Sequence, residues 1–565
     1  MRKSAAPTIL RSIALLWLAL TFALPASAGV QAPATKPALQ DILNYISTGW
    51  DRLTRTMTNC RDVKETKTPH QPVIYFPAGF TIPTALQKLT RKCPVHTEHL
   101  PKPIKHLGDI DSAAINPPGL LYLPEPYVVP GGMFDEMYGW DSYFIIRGLL
   151  RDGHLDLARG MVENFFFETN YYGGVLNANR TYFLTRSQPP FLTSMIMAVY
   201  DAEHGDGAID RDWLAKAYDY ALIDHSLWAH PPHLAGDTGL SRYYGLGEGP
   251  APELGQEGPA YYRSVIHYYL KHPETADSYL QQIPLGQKAD KAFGPQDALE
   301  ICKKGQKDTQ KDCESVADFG LTPEFYRGDR SMRESGFDVS FRFGPYGAGT
   351  EHYAPVGLNS LLYKEEKDLE RISSMLGRKA EAGYWHELAE ERREFVNKYL
   401  WDADRGLYFD YNFENNTRAS YVYATTFYPL WVGMASPEQA RAVEQNLKLF
   451  EQAGGLAMST QDTGAQWDYP YGWAPIQLLA VEGLRRYGFD EDANRISYKF
   501  LSMVLENFQK DHTIREKYNV VTRSYETHVV AGYSQNVVGF GWTNGTFLVL
   551  LHELPKEWAD RLRAD

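Results

Sequence analysis

Residues 466–475 read Gln466-Trp467-Asp468-Tyr469-Pro470-Tyr471-Gly472-Trp473-Ala474-Pro475, and an amphipathic helix is predicted directly after them, at 476–487. The stretch combines four aromatic rings with a carboxylate, a carboxamide and two prolines. Aromatic faces, such as those of Trp467 and Trp473, can lie on the apolar C–H surface of a sugar ring, while Asp and Gln exchange hydrogen bonds with its hydroxyl groups. We therefore interpret the stretch as one wall of a pocket, although an aromatic turn in a core has a similar composition.

Residues 130–144 repeat this chemistry more than three hundred residues earlier. They read Pro130-Gly131-Gly132-Met133-Phe134-Asp135-Glu136-Met137-Tyr138-Gly139-Trp140-Asp141-Ser142-Tyr143-Phe144, with a Gly-rich entry, a Trp-Asp pair and a helix predicted to follow. Two such Trp-Asp corners, each opening a helix, predict two walls of one cleft.

The two stretches resemble the signature motifs of the trehalases of glycoside hydrolase family 37. The family patterns are Pro-Gly-Gly-Arg-Phe-x-Glu-x-Tyr-x-Trp-Asp-x-Tyr-Phe and Gln-Trp-Asp-x-Pro-x-Gly-Trp-Ala-Pro. Residues 466–475 match throughout, and residues 130–144 differ where this chain has Met133 in place of Arg. The resemblance spans about residues 120–550. It implies an inverting glycoside hydrolase that cleaves α,α-trehalose to two glucose molecules without a cofactor.

The composition indicates a folded, acidic protein. Its 565 residues are 44% hydrophobic and 13% aromatic, enough for a sizeable core, and the formal net charge is -13. Nucleic acids and anionic membranes attract clusters of Lys and Arg, and no basic run occurs beyond the N-terminus. We therefore expect a monomer that acts on a small disaccharide, with neither nucleic acid nor membrane as a partner.

Residues 1–28 have the pattern of a secretory signal peptide. Basic residues precede the apolar run 12–24, and Ala26-Ser27-Ala28 resembles a cleavage site. We therefore expect a mature chain that begins near Gly29 and is periplasmic or secreted. A membrane anchor is the alternative, but the apolar run is shorter than the ~20 residues that cross a bilayer.

The four cysteines are Cys60, Cys93, Cys302 and Cys313, and export would permit disulfide bonds between them. Four cysteines allow three pairings, and proximity in sequence favours Cys60 with Cys93 and Cys302 with Cys313. No Cys-x-x-Cys or His-x-x-x-His spacing indicates a metal site. Neither a metal nor another cofactor is expected.

Beyond residue 140, apolar residues recur at three- and four-residue spacing, which predicts α-helices. The predicted pairs are 141–150 with 155–167, 191–205 with 210–229, 357–376 with 379–400, and 473–487 with 491–508, and single helices are predicted at 437–450 and 542–553. Periodicity alone predicts a large all-α domain. The family resemblance implies an (α/α)6 toroid with a central cleft.

The domain organisation follows from the same pattern. We assign residues 29–120 to a loop-rich N-terminal arm packed on the main body, with one helix near 38–53, and residues 121–565 to the catalytic domain. Residues 258–326 are rich in Lys, Gln and Asp. We interpret them as a surface insertion, or less readily as a lid over the cleft.

Hydrolysis of a glycosidic bond needs one protonated and one ionised carboxyl group. Asp338 ends the run Arg333-Glu334-Ser335-Gly336-Phe337-Asp338 among apolar neighbours, which raise a carboxyl pKa and suit an acid. The run resembles the family's Glu-Ser-Gly-Trp-Asp-x-Ser-x-Arg, in which that Asp is the general acid. The alternative is a structural Asp near Arg342.

Glu516 is the candidate for the ionised partner. It lies in Arg515-Glu516-Lys517-Tyr518-Asn519, which resembles the Glu-Lys-Tyr motif that carries the family's general base. Basic neighbours favour the ionised form, although a Glu between two cations is also typical of a solvated surface. Because the resemblance implies inversion, we predict that the carboxyl groups of Asp338 and Glu516 lie roughly 6.5–9.5 Å apart, with room for a water molecule.

The resemblance also implies the residues that bind the sugars. Asn177 and Arg186 lie in a run that resembles the family's Asn-Gly-Asn-Arg-Ser-Tyr-Tyr-Leu-x-Arg-Ser-Gln-Pro-Pro-Phe, and the guanidinium fork of Arg suits vicinal hydroxyl groups. The full predicted set is Phe134, Trp140, Asp141, Asn177, Arg186, Glu253, Trp467, Asp468, Trp473 and Trp542.

The chain departs from the family pattern in its binding residues. Met133 and Ala251 replace two sugar-binding arginines, and residues 531–536 stand where the family has a Gly-rich lid with Glu-Tyr. Each lost charged hydrogen bond costs roughly 1.5–3 kcal/mol of binding. One alternative is therefore a hydrolase of the same fold that acts on another α-glucoside or a modified disaccharide. The other is a non-catalytic periplasmic sugar-binding protein, against which both retained carboxyl groups argue.

Overall fold

The computed structural model describes residues 39–63, 70–205, 207, 210–276, 278–283 and 319–564. The α-helices of these residues are α1 (Leu39–Leu53), α2 (Thr84–Leu89), α3 (Gly139–Arg151), α4 (Leu155–Tyr172), α5 (Leu192–His204), α6 (Arg211–Trp228), α7 (Gly258–Lys271), α8 (Pro323–Glu334), α9 (Val356–Leu376), α10 (Lys379–Tyr399), α11 (Tyr428–Trp431), α12 (Pro437–Gln445), α13 (Ala474–Arg486), α14 (Asp490–Asp511), α15 (Gly541–Glu553) and α16 (Lys556–Ala564).

The strands are short and lie in two- and three-stranded sheets between the helices. They are β1 (Thr54–Arg55), β2 (Val73–Phe76), β3 (His96–His99), β4 (Leu120–Leu121), β5 (Tyr127–Val128), β6 (Leu280–Gln282), β7 (Phe319–Leu321), β8 (Tyr353–Ala354), β9 (Trp401–Asp402), β10 (Leu407–Tyr408), β11 (Tyr411–Asn412), β12 (Thr417–Arg418), β13 (Glu451–Gln452), β14 (Gly455–Leu456), β15 (Tyr471–Trp473) and β16 (Lys517–Asn519).

Six helices form a closed inner ring. Helix α3 contacts α5, α5 contacts α9, and the contacts continue through α11, α13 and α15 back to α3. Helices α4, α6, α10 and α14 pack against this ring from outside. The predicted all-α fold, an (α/α)6 toroid, is confirmed.

The predicted helices appear at their predicted places because their apolar residues form one continuous buried stripe. In α9 the buried leucines include Leu361 and Leu362, three and four residues after Leu358, and Leu369, two turns after Leu362. The helix ends at Gly377, which takes the left-handed conformation that favours glycine.

Helix α8 was not predicted, because its buried face is polar. Asp329, Arg330, Arg333 and Glu334 are all buried on this helix, so it lacks an apolar stripe. Thr322 caps its first turn by accepting a hydrogen bond from the Phe325 N–H. The helix carries charged side chains towards the centre of the molecule, and Asp338 follows it after a short turn.

The N-terminal segment packs on the ring. Helix α1 contacts α14 and α15, and the Trp50 indole donates a hydrogen bond to Asp152 at 3.0 Å. Strand β2 lies between β3 and β4 in a parallel sheet. The predicted disulfide bond between Cys60 and Cys93 is present. The predicted signal peptide lies outside the described residues, and none of the described helices is both long and apolar enough to cross a membrane.

Part of the predicted surface insertion is folded into the body. Helix α7 buries Tyr262, Val265, Ile266 and Tyr269 against α8 and its neighbours, and β6 pairs with β7. Helix α7 of the predicted surface insertion therefore packs into the body, because its aromatic and β-branched side chains are buried. Cys302 and Cys313 lie outside the described residues.

Helices α3 and α15 approach each other closely at Gly545. A Cβ atom at Gly545 would lie 2.1 Å from the carbonyl oxygen of Phe144, whereas a Cβ at Gly383 on α10 would meet nothing within 4 Å. We expect Gly545→Ala to lower the free energy of unfolding by about 1–3 kcal/mol or more, through overpacking. Gly383→Ala, the control, should raise it by roughly 0.5–1 kcal/mol. Thermal or denaturant unfolding measures both, and equal stabilities would contradict the packing described.

Candidate active site

The strand pair β15–β16 joins two predicted motifs. Trp473 of β15 lies opposite Lys517 of β16, so Glu516, the residue before that strand, is brought to the end of the 466–475 stretch. The Glu516 N–H donates to the Val537 carbonyl at 3.0 Å, and the residue is only 2% exposed. The alternative of a solvated surface Glu is therefore excluded.

The two Trp-Asp corners meet as the sequence predicted. The ring centroid of Trp140 lies 5.8 Å from that of Trp467 and 5.7 Å from that of Trp542. Gly336 packs on Trp140, where an added Cβ would approach the indole to 2.9 Å, and its φ of +76° also favours glycine. This contact ties the turn before Asp338 to the wall of the cleft.

Trp473 supports this wall from behind. Its ring stacks on Trp467 with centroids 3.9 Å apart and planes 7° from parallel, and the residue is completely buried. Its indole N–H donates to the Gln466 carbonyl at 2.9 Å. The sequence predicted that the face of Trp473 contacts sugar, but protein already covers it.

Asp468 is likewise engaged by protein. Its carboxylate accepts hydrogen bonds from Ser340 Oγ at 3.0 Å, the Phe341 N–H at 2.9 Å and Thr463 Oγ1 at 2.6 Å. These contacts hold the loop that follows Asp338. The structure thus places Asp468 against the loop that carries Asp338, and its role in binding sugar stays a prediction.

Asp338 occupies a strongly charged environment. Its side chain is 34% exposed, and Arg333 Nη1 lies 3.7 Å from Oδ2. Burial raises the pKa of Asp338 to about 6, although Arg333 and Arg186 lower it. Near pH 6 a large fraction is protonated, as a proton donor requires. Arg342 pairs instead with Asp410, with Nε at 2.6 Å, so the structural alternative for Asp338 is not observed.

Glu516 and Lys517 form the opposite side of the site. Burial raises the pKa of Glu516, while the Lys517 ammonium, 3.8 Å away, and a hydrogen bond from Tyr533 lower it. Burial also lowers the pKa of Lys517 to about 8, opposed by Glu516 and Asp338. Lys517 is thus charged at neutral pH and favours an ionised Glu516.

A buried cluster formed by Arg186, Glu253 and Arg333 adjoins Asp338. Arg186 Nη2 lies 2.7 Å from Glu253 Oε1, and Arg333 Nη1 lies 3.7 Å from the same oxygen. Burial would raise the pKa of Glu253, but the two arginines lower it below its ordinary value. Arg186 Nε and Nη1 and Arg333 Nη2 are buried without a hydrogen-bond partner among the described residues. These donors are free for hydroxyl groups of a ligand.

The remaining predicted residues lie at or behind the same site. Burial raises the pKa of Asp141 well above its ordinary value, and the charges of Glu516 and Asp338 raise it further. The main chain of Asn177 accepts from Gly139 N and donates to the Arg186 carbonyl.

Two further predicted residues pack around the base and the Gly-rich turn. The Trp542 indole donates to the Glu516 carbonyl at 3.2 Å, which places it beneath the base candidate. The ring of Phe134 packs on Tyr138, with centroids 5.4 Å apart.

Sequence reasoning missed Arg333 and Lys517 as site residues. Arg333 lies in no sugar-binding motif of the sequence, and Lys517 is notable in the sequence only as a basic neighbour of Glu516. A signal was present, since both flank the predicted carboxyl groups in sequence. Their importance depends on burial, which the sequence did not reveal.

Comparisons with known proteins decide the family. The family model described as Trehalase matches residues 30–555. This chain belongs to the trehalase family. It is 36% identical to the cytosolic neutral trehalase of Saccharomyces cerevisiae over 88% of this chain and 70% of that protein, and 38% identical to the cytosolic neutral trehalase of Kluyveromyces lactis over 75% of this chain. The chain spans 56% of the K. lactis relative.

A solved structure supports the same conclusion. Neutral trehalase Nth1 from S. cerevisiae superposes with a TM-score of 0.75 and 33% identity, covering 94% of this chain and 96% of that one. The predicted family, fold and glycoside hydrolase class are thereby confirmed, and the predicted trehalose hydrolysis agrees with the names of these relatives.

The predicted location is contradicted by the same relatives. We expected a periplasmic or secreted protein from the N-terminal pattern, but the relatives in S. cerevisiae and K. lactis are named cytosolic trehalases. A basic and apolar N-terminus resembles an export signal by composition alone, and composition does not establish export.

The environment of Asp338 generates the second prediction. Because its folded-state pKa of about 6 lies above the unfolded value near ~3.9, ionised Asp338 destabilises the native state as pH rises through 6. We expect Asp338→Asn to raise Tm at pH 8 and to leave it unchanged below about pH 4, where both states are protonated.

Asp402 provides a control of opposite sign. Hydrogen bonds from Arg405 lower its pKa, so Asp402→Asn should lower Tm at pH 8. A Tm for Asp338→Asn that stays equal to the wild-type value from pH 4 to pH 8 would contradict the raised pKa.

Proposed function

We propose that this trehalase-family chain hydrolyses α,α-trehalose to two glucose molecules by a single inverting displacement, with Asp338 as general acid and Glu516 as general base. One observation carries the proposal: the two carboxyl groups have different environments. Asp338 has a pKa of about 6 and can be protonated, whereas Glu516 is buried beside the Lys517 ammonium. Two titratable carboxyl groups in different environments are the requirement for acid–base catalysis.

In the proposed reaction Asp338 gives up one proton and Glu516 takes up one. Asp338 donates its proton to the oxygen that bridges the two glucosyl units, and the bond from that oxygen to the anomeric carbon breaks. Glu516 accepts a proton from water, whose oxygen attacks the same carbon from the opposite face. One glucose leaves as the alcohol, the other acquires the inverted β configuration, and proton exchange with solvent restores both carboxyl groups.

The charged cluster supports substrate binding at the acid side. Arg186 and Arg333 present donors that have no hydrogen-bond partner in the part of the chain that the structure describes, and Glu253 pairs with both guanidinium groups. A guanidinium fork suits two adjacent hydroxyl groups. In this proposal Arg333 provides the second guanidinium beside Glu253, which compensates for Ala251. Asn177 and Asp141 complete the sugar-binding set.

A second candidate substrate class follows from Met133. The residue is 45% exposed, and its thioether offers no hydrogen-bond donor to a ligand. A pocket that lacks this arginine favours a glucoside with fewer hydroxyl groups at that place, because an unmatched donor or acceptor costs binding energy. Such an α-glucoside or modified disaccharide would be cleaved by the same two carboxyl groups.

The third prediction tests the catalytic pair. Asp338→Asn and Glu516→Gln should each lower kcat on trehalose by about 10²–10⁴-fold, since each removes one proton-transfer group. NMR during the first turnovers of the wild type should show α- and β-glucose in equal amounts, as inversion of one of two α-anomers requires. Unfolding transitions check that each variant is folded. Full activity in either variant, or α-glucose alone as the initial product, would refute the assignment.

The fourth prediction separates the substrate candidates. If trehalose is the substrate, Met133→Arg should lower KM for trehalose by about tenfold, through one regained charged hydrogen bond. Met133→Leu is the control, because it adds no donor. Initial rates are compared on trehalose, maltose and sucrose. A wild type that prefers another α-glucoside, and loses that preference in Met133→Arg, would favour the second candidate.

A further inference from the structure

The two carboxylate oxygens of the candidate base have different partners. The Tyr533 hydroxyl donates a hydrogen bond to Glu516 Oε1. Glu516 Oε2 is buried and has no hydrogen-bond partner among the described residues. Oε2 lies 3.8 Å from the Lys517 ammonium, beyond hydrogen-bond distance, so a proton taken from water can go to Oε2 without displacing a hydrogen bond.

The phenol ring is itself fixed by Lys517. The ammonium nitrogen lies 3.7 Å from the centroid of the Tyr533 ring, within the range of a cation–π contact, and it donates to the Tyr533 carbonyl at 3.0 Å. The same ammonium donates to Gln466 Oε1 at 2.9 Å. Lys517 thus contacts two groups of the site. One is the Tyr533 ring, whose hydroxyl donates to Glu516, and the other is the Gln466 carboxamide, which donates to the Asp338 carbonyl.

The segment that carries Tyr533 is docked along the base strand. Asn536 brackets Lys517, accepting from its N–H at 3.2 Å and donating to its carbonyl at 2.8 Å. Gly532 has φ of +120° and packs on Gln466, where an added Cβ would lie 2.8 Å from Cδ. These contacts define the direction in which the Tyr533 side chain leaves the main chain.

Tyr533 also lies where this chain departs from the family pattern. It lies in residues 531–536, which replace the Gly-rich lid with Glu-Tyr expected from the family resemblance. The residue is 38% exposed, although its hydroxyl contacts the buried Glu516. It therefore forms part of the boundary between the base and the open side of the site.

We propose that Tyr533 is a positioning residue for the base, which occupies Glu516 Oε1 and so leaves Oε2 directed towards the attacking water. The inference rests on the proposed role of Glu516 and adds a residue that no family motif assigned. Tyr533 acts through Glu516 and takes no proton itself.

The electrostatics of the site agree with this role. Burial raises the pKa of Tyr533, and the charges of Glu516, Asp338 and Asp141 raise it further, so the phenol stays a neutral donor. Lys517 lies 3.8 Å from Glu516 Oε2, Tyr533 donates to Oε1, and the charge of Glu516 acts on Asp141. Of these, Lys517 and Tyr533 lower the pKa of Glu516.

The test replaces Tyr533 by Phe, which keeps the ring over Lys517 and removes only the hydroxyl. We expect kcat to fall 10- to 100-fold with KM changed less than threefold, and the acidic limb of the kcat profile to move to higher pH, because the ionised base loses a donor. Tyr525→Phe is the matched control: Tyr525 is tied to the same segment through its carbonyl, which accepts from Asn536 at 2.7 Å, and among the described residues its hydroxyl makes no hydrogen bond to Glu516. The control should keep the wild-type kcat and pH profile.

A second readout does not depend on activity. The Tm difference between wild type and Tyr533→Phe should grow as pH rises through the titration of Glu516, and it should lose this pH dependence in a Glu516→Gln background. Unchanged kcat and pH profile, or a pH-dependent Tm difference that persists in Glu516→Gln, would overturn the proposal. A wild type inactive on trehalose would instead refute the proposed function, while the Tm readout would still test Tyr533.

Discussion

The buried ammonium of Lys517 is the interaction on which the organisation of the site depends. It lies beside Glu516, donates to Gln466 and to the Tyr533 carbonyl, and is completely enclosed. A buried cation is costly unless its donors are satisfied. Because Gln466 also donates to the Asp338 carbonyl, one ammonium connects the loops of both proposed catalytic carboxyl groups.

The toroid explains why such a polar centre is stable. The inner helices provide an apolar frame in which Trp140, Trp467, Trp473 and Trp542 pack on one another. Burial raises the pKa of Asp338, Asp141 and Glu516. Arg186 and Arg333 oppose this shift at Asp338, and Lys517 opposes it at Glu516. The aromatic layer therefore sets the low polarity, and the cations decide which carboxyl group stays ionised.

The limits of sequence reasoning are clearest at residues that share a motif but not an environment. Trp467 and Trp473 are equivalent by composition, yet one covers the other. Asp468 and Asp338 are both acidic residues in aromatic loops, yet three protein donors satisfy the first while the second stays partly exposed. Helix α8 escaped prediction because burial of charged residues removes the apolar period.

The sequence by itself determined the helical periodicity, the family motifs and the identity of the candidate carboxyl groups, because these are local patterns of residue type. Only the tertiary structure decided which faces of those residues are free: it stacked Trp473 behind Trp467, turned Asp468 onto the Asp338 loop and placed Tyr533 against Glu516. The physical reason is that free surface and pKa depend on neighbours far apart in the chain. Gln466, Lys517 and Tyr533 acquire their roles only when β15 and β16 pair.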